Sequence, residues 1–304
     1  MLVYLPIAEM AVPAESILLL GTVVGFLSGV FGVGGGFLTT PFLIFMGLPP
    51  DIAVGTQASQ LVAASLSGVL GHWKRGNVDV KMGGVMLSGS MVGSVLGVMI
   101  FRLLQHIGQI DLAIPLLYVG LLGTMGVMML IESMMAVLRK APEGKDRSRL
   151  YHHPLLLALP YKMRFPRSKI YVSALVPAGI GFLGGVLVSI MGIGGGFLLV
   201  PAMIYILGMP TLLVAGTSLF QILFTTILST IMHAGVNHTV DLVLAALLIV
   251  GGVIGAQVGV RVARRMKGAY ARVVLSVLLL LVSFQLMGEL FIRPEDIYST
   301  EIRP

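Results

Sequence analysis

Residues 32–41 read GVGGGFLTTP and residues 192–201 read GIGGGFLLVP, identical at seven of ten positions. The correspondence continues downstream. Gly47, Pro49, Gly55, Thr56 and Gln60 match Gly208, Pro210, Gly216, Thr217 and Gln221. His72 then pairs with His233, Asp79 with Asp241, and the ladder Gly89, Gly93, Gly97 with Gly251, Gly255, Gly259. The offset drifts only from 160 to 162 residues. The chain is therefore two copies of one unit.

Composition fixes the solvent of that unit. Of 304 residues, 57% are hydrophobic and 11% charged, and the mean hydropathy is +0.99. Soluble chains carry roughly a quarter charged residues, so there is too little charge here to cover a water-soluble globule. Disordered chains are poor in apolar residues, which excludes that class as well. The absence of cysteine removes disulfides, thiolate metal sites and cysteine nucleophiles. An all-α integral membrane protein remains.

A helix needs about 20 apolar residues to cross a hydrocarbon core of roughly 30 Å. That ruler predicts spans at 52–72, 82–104, 111–138, 211–233, 241–263 and 273–292. Two longer blocks, 14–47 and 171–208, are interrupted by the runs Gly34–Gly36 and Gly194–Gly196. The first ten residues hold no Lys or Arg, so a secretory signal is not expected.

The formal charge of +7 is confined to one place. Residues 139–169 hold nine Lys/Arg against two acids, and elsewhere eleven bases balance eleven acids. A basic loop between apolar blocks is a cytoplasmic connection by the positive-inside rule, not a nucleic-acid surface. The expected division is a first membrane repeat at 14–138, a basic cytoplasmic linker at 139–170 and a second membrane repeat at 171–292. Loop 73–81 (Lys74, Arg75, Lys81) and loop 264–272 are basic, whereas 234–240 has no Lys or Arg. With basic loops inside, each glycine-broken block must enter and return as a helix–turn–helix hairpin. One hairpin plus three spans gives each repeat an odd number of crossings, so the repeats are expected to be inverted.

Broken helices at corresponding positions of inverted halves point to a transporter's binding site. Three successive glycines turn sharply and leave their N–H groups uncovered. The short helices expected from Phe37 and Phe197 would aim their positive ends at Gly34, Gly35, Gly36 and at Gly194, Gly195, Gly196. Close helix packing is the competing reading of any membrane glycine, and it is the one expected for Gly89/Gly93/Gly97 and Gly251/Gly255/Gly259. After each hairpin comes a polar cluster: Thr56, Gln57, Ser59 and Gln60, then Thr217, Ser218 and Gln221. Such groups can donate hydrogen bonds to a dehydrated oxyanion without carrying charge, or they can bond between helices. His72 and His233 are candidate proton-coupled gates or interfacial residues, and Lys74 and Arg75 candidate anion attractors. Asp79, Asp111 and Asp241 precede apolar spans as helix caps. Glu132 is the one acid within a span, and His152–His153 is too isolated for a metal site. Catalytic residues, metal and cofactor are all expected to be absent: no glycine-flanked serine elbow or nucleotide-binding loop is present.

The duplicated GGGF motif, the GTQASQ and GTSLFQ segments and the HWKRGNVD stretch resemble the TauE/SafE sulfite-exporter-like permease family over residues 14–290. That resemblance implies a secondary permease for small sulfur-containing anions, such as sulfite or organosulfonates like sulfoacetate, in a bacterial inner membrane. It carries the family's site onto the two glycine runs and the two polar clusters. The second-half counterpart of HWKRGNVD reads HAGVNHTVD and lacks the bases, so anion attraction would belong to the first half alone. Export by alternating access is the expected activity; a passive anion channel of the same architecture is the alternative. The partners expected are the oxyanion and the lipid bilayer, with a homo-oligomer left open.

Overall fold

The computed structural model describes residues 2–31, 36–139, 160–263 and 268–291. The first repeat contains α1 (Ala14–Phe31), α2 (Gly36–Phe45), α3 (Pro50–Lys74), α4 (Val80–Ile107) and α5 (Ile110–Arg139). The second contains α6 (Leu175–Met191), α7 (Gly196–Tyr205), α8 (Thr211–Met232), α9 (Leu242–Ala263) and α10 (Gly268–Phe291). Among the described residues, α4, α5, α8, α9 and α10 contain stretches long and apolar enough to span a membrane. The 25-residue α3 has the length too, but its Thr56–Gln60 cluster lowers its hydropathy. Large apolar side chains such as Val92, Met99, Leu281 and Phe284 face outward, as a lipid solvent requires.

The second broken block is a hairpin. A side chain added at Gly184 of α6 would meet Leu199 of α7, and one at Gly195 would meet Val188, so α7 returns along α6. The residues joining α1 to α2, including Gly34 and Gly35, lie outside the described residues, as do His152–His153 and most of the basic linker.

Two small β-hairpins were not foreseen. Strands β1 (Leu2–Leu5) and β2 (Met10–Pro13) pair antiparallel ahead of α1. Strands β3 (Lys162–Phe165) and β4 (Ile170–Ser173) do the same ahead of α6. In each, a proline (Pro6, Pro166) opens a four-residue turn that closes on a residue of positive φ, Glu9 at 51° and Lys169 at 54°. The equivalence at an offset of 160 extends the repeat upstream. The expected boundary at 170/171 thus falls inside a folded hairpin.

The repeats interlock through equivalent pairs. Helix α1 packs on α9 as α6 packs on α4. The small-residue ladders make this approach possible. A Cβ at Gly89, Gly93 or Gly97 would land on the carbonyl oxygens of Ala178, Phe182 or Val186 of α6. One at Gly251, Gly255 or Gly259 would land on those of Leu18, Thr22 or Phe26 of α1. The packing expectation for both ladders holds. Equivalent helices run in opposite directions: Gly55 near the start of α3 touches Thr239 beyond α8, while His72 near its end touches Gly216 at the start of α8. Likewise α5 passes α10 with Val119 bonded to Ser283 and Gly126 against Leu280.

Each hairpin clasps the other repeat. The Ile7 N–H donates to Asp241 Oδ2 at 3.0 Å, and the Ser168 N–H donates to Asp79 Oδ2 at 3.0 Å with help from its hydroxyl. Both aspartates also cap helices as expected. Asp79 Oδ1 accepts from Met82 N–H, and Asp241 Oδ1 from Val243 and Leu244 N–H. Asp111 lies exposed in the first turn of α5. Arg167 donates to the Val78 carbonyl, and Lys81 donates to the Arg164 carbonyl. The base-rich hairpin therefore sits with loop 73–81, and the base-free one with the loop ending at Asp241.

Candidate functional site

The two helix breaks meet inside the protein. The first carbon of any side chain at Gly36 would lie 3.1 Å from both the Gly192 carbonyl oxygen and the Gly194 nitrogen. Glycine lets backbone approach backbone here without either having to give way. Gly192 and Gly195 take positive φ of 67° and 64°, and Gly192 to Gly196 are all buried. Leu61 of α3 fills the space between the breaks, its methyl carbons 2.9 Å from the Gly36 position and 3.0 Å from the Gly194 position. Ile222, the equivalent residue of α8, stands 3.7 Å from where a Cβ at Gly194 would lie.

Several backbone donors of the second break are engaged in this conformation. Gly195 N–H donates to Ile193 at 2.6 Å, Gly196 N–H to Gly194 at 2.7 Å, and Leu198 and Leu199 N–H to Gly195. These N–H groups turn back into the run rather than toward an open cradle. An anion would have to compete for them or be met by side chains.

Among the predicted side chains, Gln57 is the best positioned. It shares a face of α3 with Val54, whose backbone borders Gly192, and with Leu61. It is 1% exposed, and its Oε1 is buried without a partner. Gln60 turns toward α9, its Nε2 donating to the Leu248 carbonyl at 3.2 Å. Gln221 donates from Nε2 to Thr225 Oγ1 at 3.1 Å. Both leave Oε1 buried and unpartnered, and each amide keeps a second N–H. Ser59 and Ser218 donate to the carbonyls of Thr56 and Ala215 in their own helices.

Thr56 and Thr217 hold the fold together. The Asp241 N–H donates to Thr56 Oγ1 at 3.0 Å, and the Asp79 N–H donates to Thr217 Oγ1 at 3.0 Å. The preceding glycines, Gly55 and Gly216, lie against Thr239 and Asn77 of the same loops. The Gly-Thr pairs are thus reciprocal latches between repeats.

The gating candidates separate. His72 is half-buried with Nδ1 unpartnered, and Lys74 and Arg75 are exposed on the face that carries the basic hairpin. His233 lies in the interior instead. Its Nε2 meets the Ser189 carbonyl at 2.8 Å, its Nδ1 meets Asn237 Nδ2 at 3.0 Å, and its ring stands edge-on to Phe101. Residues 233–237 form one wide π-helical turn. Such a turn holds one more residue than an α-turn, and it falls where the offset between repeats grows from 161 to 162. Sequence reasoning missed Leu61 and Ile222, although both stand one residue beyond the duplicated glutamines.

The chain matches the family described as sulfite exporter TauE/SafE over residues 17–286. It belongs to the TauE/SafE sulfite exporter family. The matched stretch includes both helix breaks and both polar clusters. The TauE/SafE relatives include the probable membrane transporter protein YunE of Bacillus subtilis (strain 168), 25% identical over 281 residues, 90% of this chain and 97% of that one. The probable membrane transporter protein YjnA of the same organism is 29% identical over 244 residues, 80% and 88% of the two chains. A probable membrane transporter protein of Xylella fastidiosa (strain 9a5c) is 31% identical over 247 residues, 81% and 83%. No solved structure matches the chain. As a TauE/SafE member with this helical framework, the protein is a multi-pass membrane transporter.

Proposed function

We propose that this TauE/SafE protein is a secondary permease, not an enzyme, that exports a small sulfur-containing oxyanion, sulfite or an organosulfonate such as sulfoacetate, across a bacterial inner membrane. The observation that carries the reading is the meeting of the two helix breaks at Gly36 and Gly194, with Leu61 against them and Gln57 one turn away on the same helix face. Two broken helices from two repeats converging on one buried point is the construction that alternating access requires. The antiparallel course of α3 against α8 and of α5 against α10 supports inverted repeats. Charge supports the orientation. The hairpin docked on loop 73–81 carries Lys162, Arg164, Arg167 and Lys169, and the hairpin docked at Asp241 carries no base, so the former faces the cytoplasm together with the 139–170 linker.

The centre is closed here, with Gly36 and residues 192–196 buried. Substrate enters when one repeat rocks against the other and Leu61 withdraws from between the breaks. The anion then sits among neutral donors: the second amide N–H groups of the glutamines and the N–H groups of the glycine runs. A dehydrated oxyanion held by such donors keeps its hydrogen bonds without an ionised partner being buried beside it. Lys74 and Arg75 raise the local anion concentration at the inner mouth.

Purified protein in liposomes tests this with labelled sulfite and sulfoacetate, against sulfate, thiosulfate and taurine. Counterflow of one of the first two, saturable and competed by its relatives, is the expected result. Flux without counterflow would make the protein a channel, and no flux of any sulfur anion would overturn the assignment.

A further inference from the structure

The second repeat carries a line of buried polar side chains which, beyond Gln221, neither the packing nor the anion site requires. On α8 and the turn after it, Gln221, Thr225, Ser229, His233 and Asn237 recur every fourth residue, one face of the helix over most of a membrane's thickness. None is more than 8% exposed. Neighbouring helices answer them. Thr225 Oγ1 bonds Ser90 of α4 at 2.8 Å, and Ser189 of α6 bonds Ser94 of α4 at 2.6 Å and Ser229 at 3.3 Å. The Ser189 carbonyl accepts from His233, which Asn237 caps in turn. Both ends of the line carry an unpartnered buried acceptor, Gln221 Oε1 at one end and Asn237 Oδ1 at the 234–240 face.

The first repeat is the internal control. At the positions equivalent to Thr225, Ser229 and Asn237 it has Ala64, Gly68 and Gly76, and opposite them Gly252 and Ala256 replace Ser90 and Ser94. The same helices pack there through Gly25 against Gly252. The fold closes without the hydroxyls, so their presence on one side only calls for another role.

We propose that His233 is the coupling-proton site of the transporter, loaded from the 234–240 face, with the hydroxyls beside it as the network that answers its charge. The inference rests on the permease reading and supplies its coupling ion. The geometry sets the chemistry. Nε2 faces a carbonyl and so carries the hydrogen, which leaves the Nδ1 lone pair accepting from the Asn237 amide. A proton arriving from the 234–240 face adds to Nδ1. Asn237 then rotates to present Oδ1, the atom that has no partner in the neutral state. Release is from the same Nδ1, to water on whichever face the rocking of the repeats opens to it, and Asn237 then returns its Nδ2 donor. Every proton taken up is released, and no other bond changes.

The groups around His233 leave it as the only one suited to this role. Phe101 of α4 faces the ring, and Arg102 and His106 of the same helix do not, being exposed or half out of the protein. Helix α6 has no charged residue, and the Tyr118 hydroxyl of α5 donates to the Met191 carbonyl. Asp51 of α3 is engaged by Ile52 N–H and Gln105, Asp241 by three backbone N–H groups, and His238 is exposed.

Two measurements on the full chain in liposomes test this. In the first, sulfoacetate flux is driven by a pH gradient and compared with counterflow at equal pH. Wild type should be accelerated by the gradient, His233→Gln should lose the acceleration, and Ser229→Ala should weaken it while its counterflow persists. Gradient acceleration in His233→Gln equal to wild type would overturn the proposal. The second needs no substrate: nitrogen NMR of histidine-labelled protein in bilayers, from about pH 8 to about pH 4. His233 Nδ1 should gain a proton, with the Asn237 amide signal moving alongside, and a ring that stays neutral throughout would overturn the proposal. If wild type moves no sulfur anion at all, the permease reading fails while this second measurement still decides the proton site.

Discussion

Between α4 and α8, Ser90 meets Thr225; between α9 and α3, the equivalent positions hold Gly252 and Ala64. Where α6 brings Ser189 to Ser94 and Ser229, the equivalent positions of the other seam are Gly29, Ala256 and Gly68. The two seams nevertheless share their glycine ladders, their Gly-Thr latches and their aspartate clasps. What they share is what the fold needs. What only one of them has is available for function, and it lies on the side that ends at the buried His233.

The comparison can be broken at several depths. The largest effect belongs to the ladders, because a methyl at Gly93 or Gly255 would occupy the space of a backbone carbonyl oxygen on the facing helix. Gly93→Ala and Gly255→Ala should each destabilise by about 3 kcal/mol or more, seen as lost monodisperse protein and a lowered melting temperature. Tolerance of one but not the other would mean that the seams are not equivalent. Next come the clasps. Asp79→Ala and Asp241→Ala each strand three or more donors, so similar losses on the order of 2–3 kcal/mol are expected, and each should loosen the hairpin of the opposite repeat in hydrogen exchange. Ser94→Ala, which removes one buried hydroxyl bond, should cost about 1 kcal/mol. Its mirror Ala256→Ser would place a hydroxyl where the facing position, Gly29, has no side chain to answer it. The smallest effect is at the exposed lysines of the basic hairpin. Lys162→Gln with Lys169→Gln should change stability by less than about 0.5 kcal/mol while weakening the orientation bias read by cysteine labelling from each side.

Much of the architecture was legible because membrane helices are written in long apolar runs, and each expected span corresponds to a helix. The β-hairpins were not legible. Their strands are four residues long, and the turns, PIAE and PRSK, contain no glycine or asparagine to announce them. At the site, the duplicated Thr and Gln residues were visible but their orientation was not. Helix periodicity cannot say which face of α3 meets the break, so the sequence left Thr56 and Thr217 open between ligand and interhelical bond, and Leu61 passed unnoticed. The polar column was half visible, as a four-residue rhythm along α8. Its partners Ser90, Ser94 and Ser189 come from other helices, and only packing brings them to it.

The central claim is that the buried point where the helix breaks meet handles a sulfur oxyanion. Its most direct test is counterflow of labelled sulfite through reconstituted Gln57→Ala, Gln60→Ala and Gln221→Ala, each first checked for folding by its melting temperature. The account predicts folded variants whose flux falls to that of protein-free liposomes, and wild-type flux in all three would contradict it.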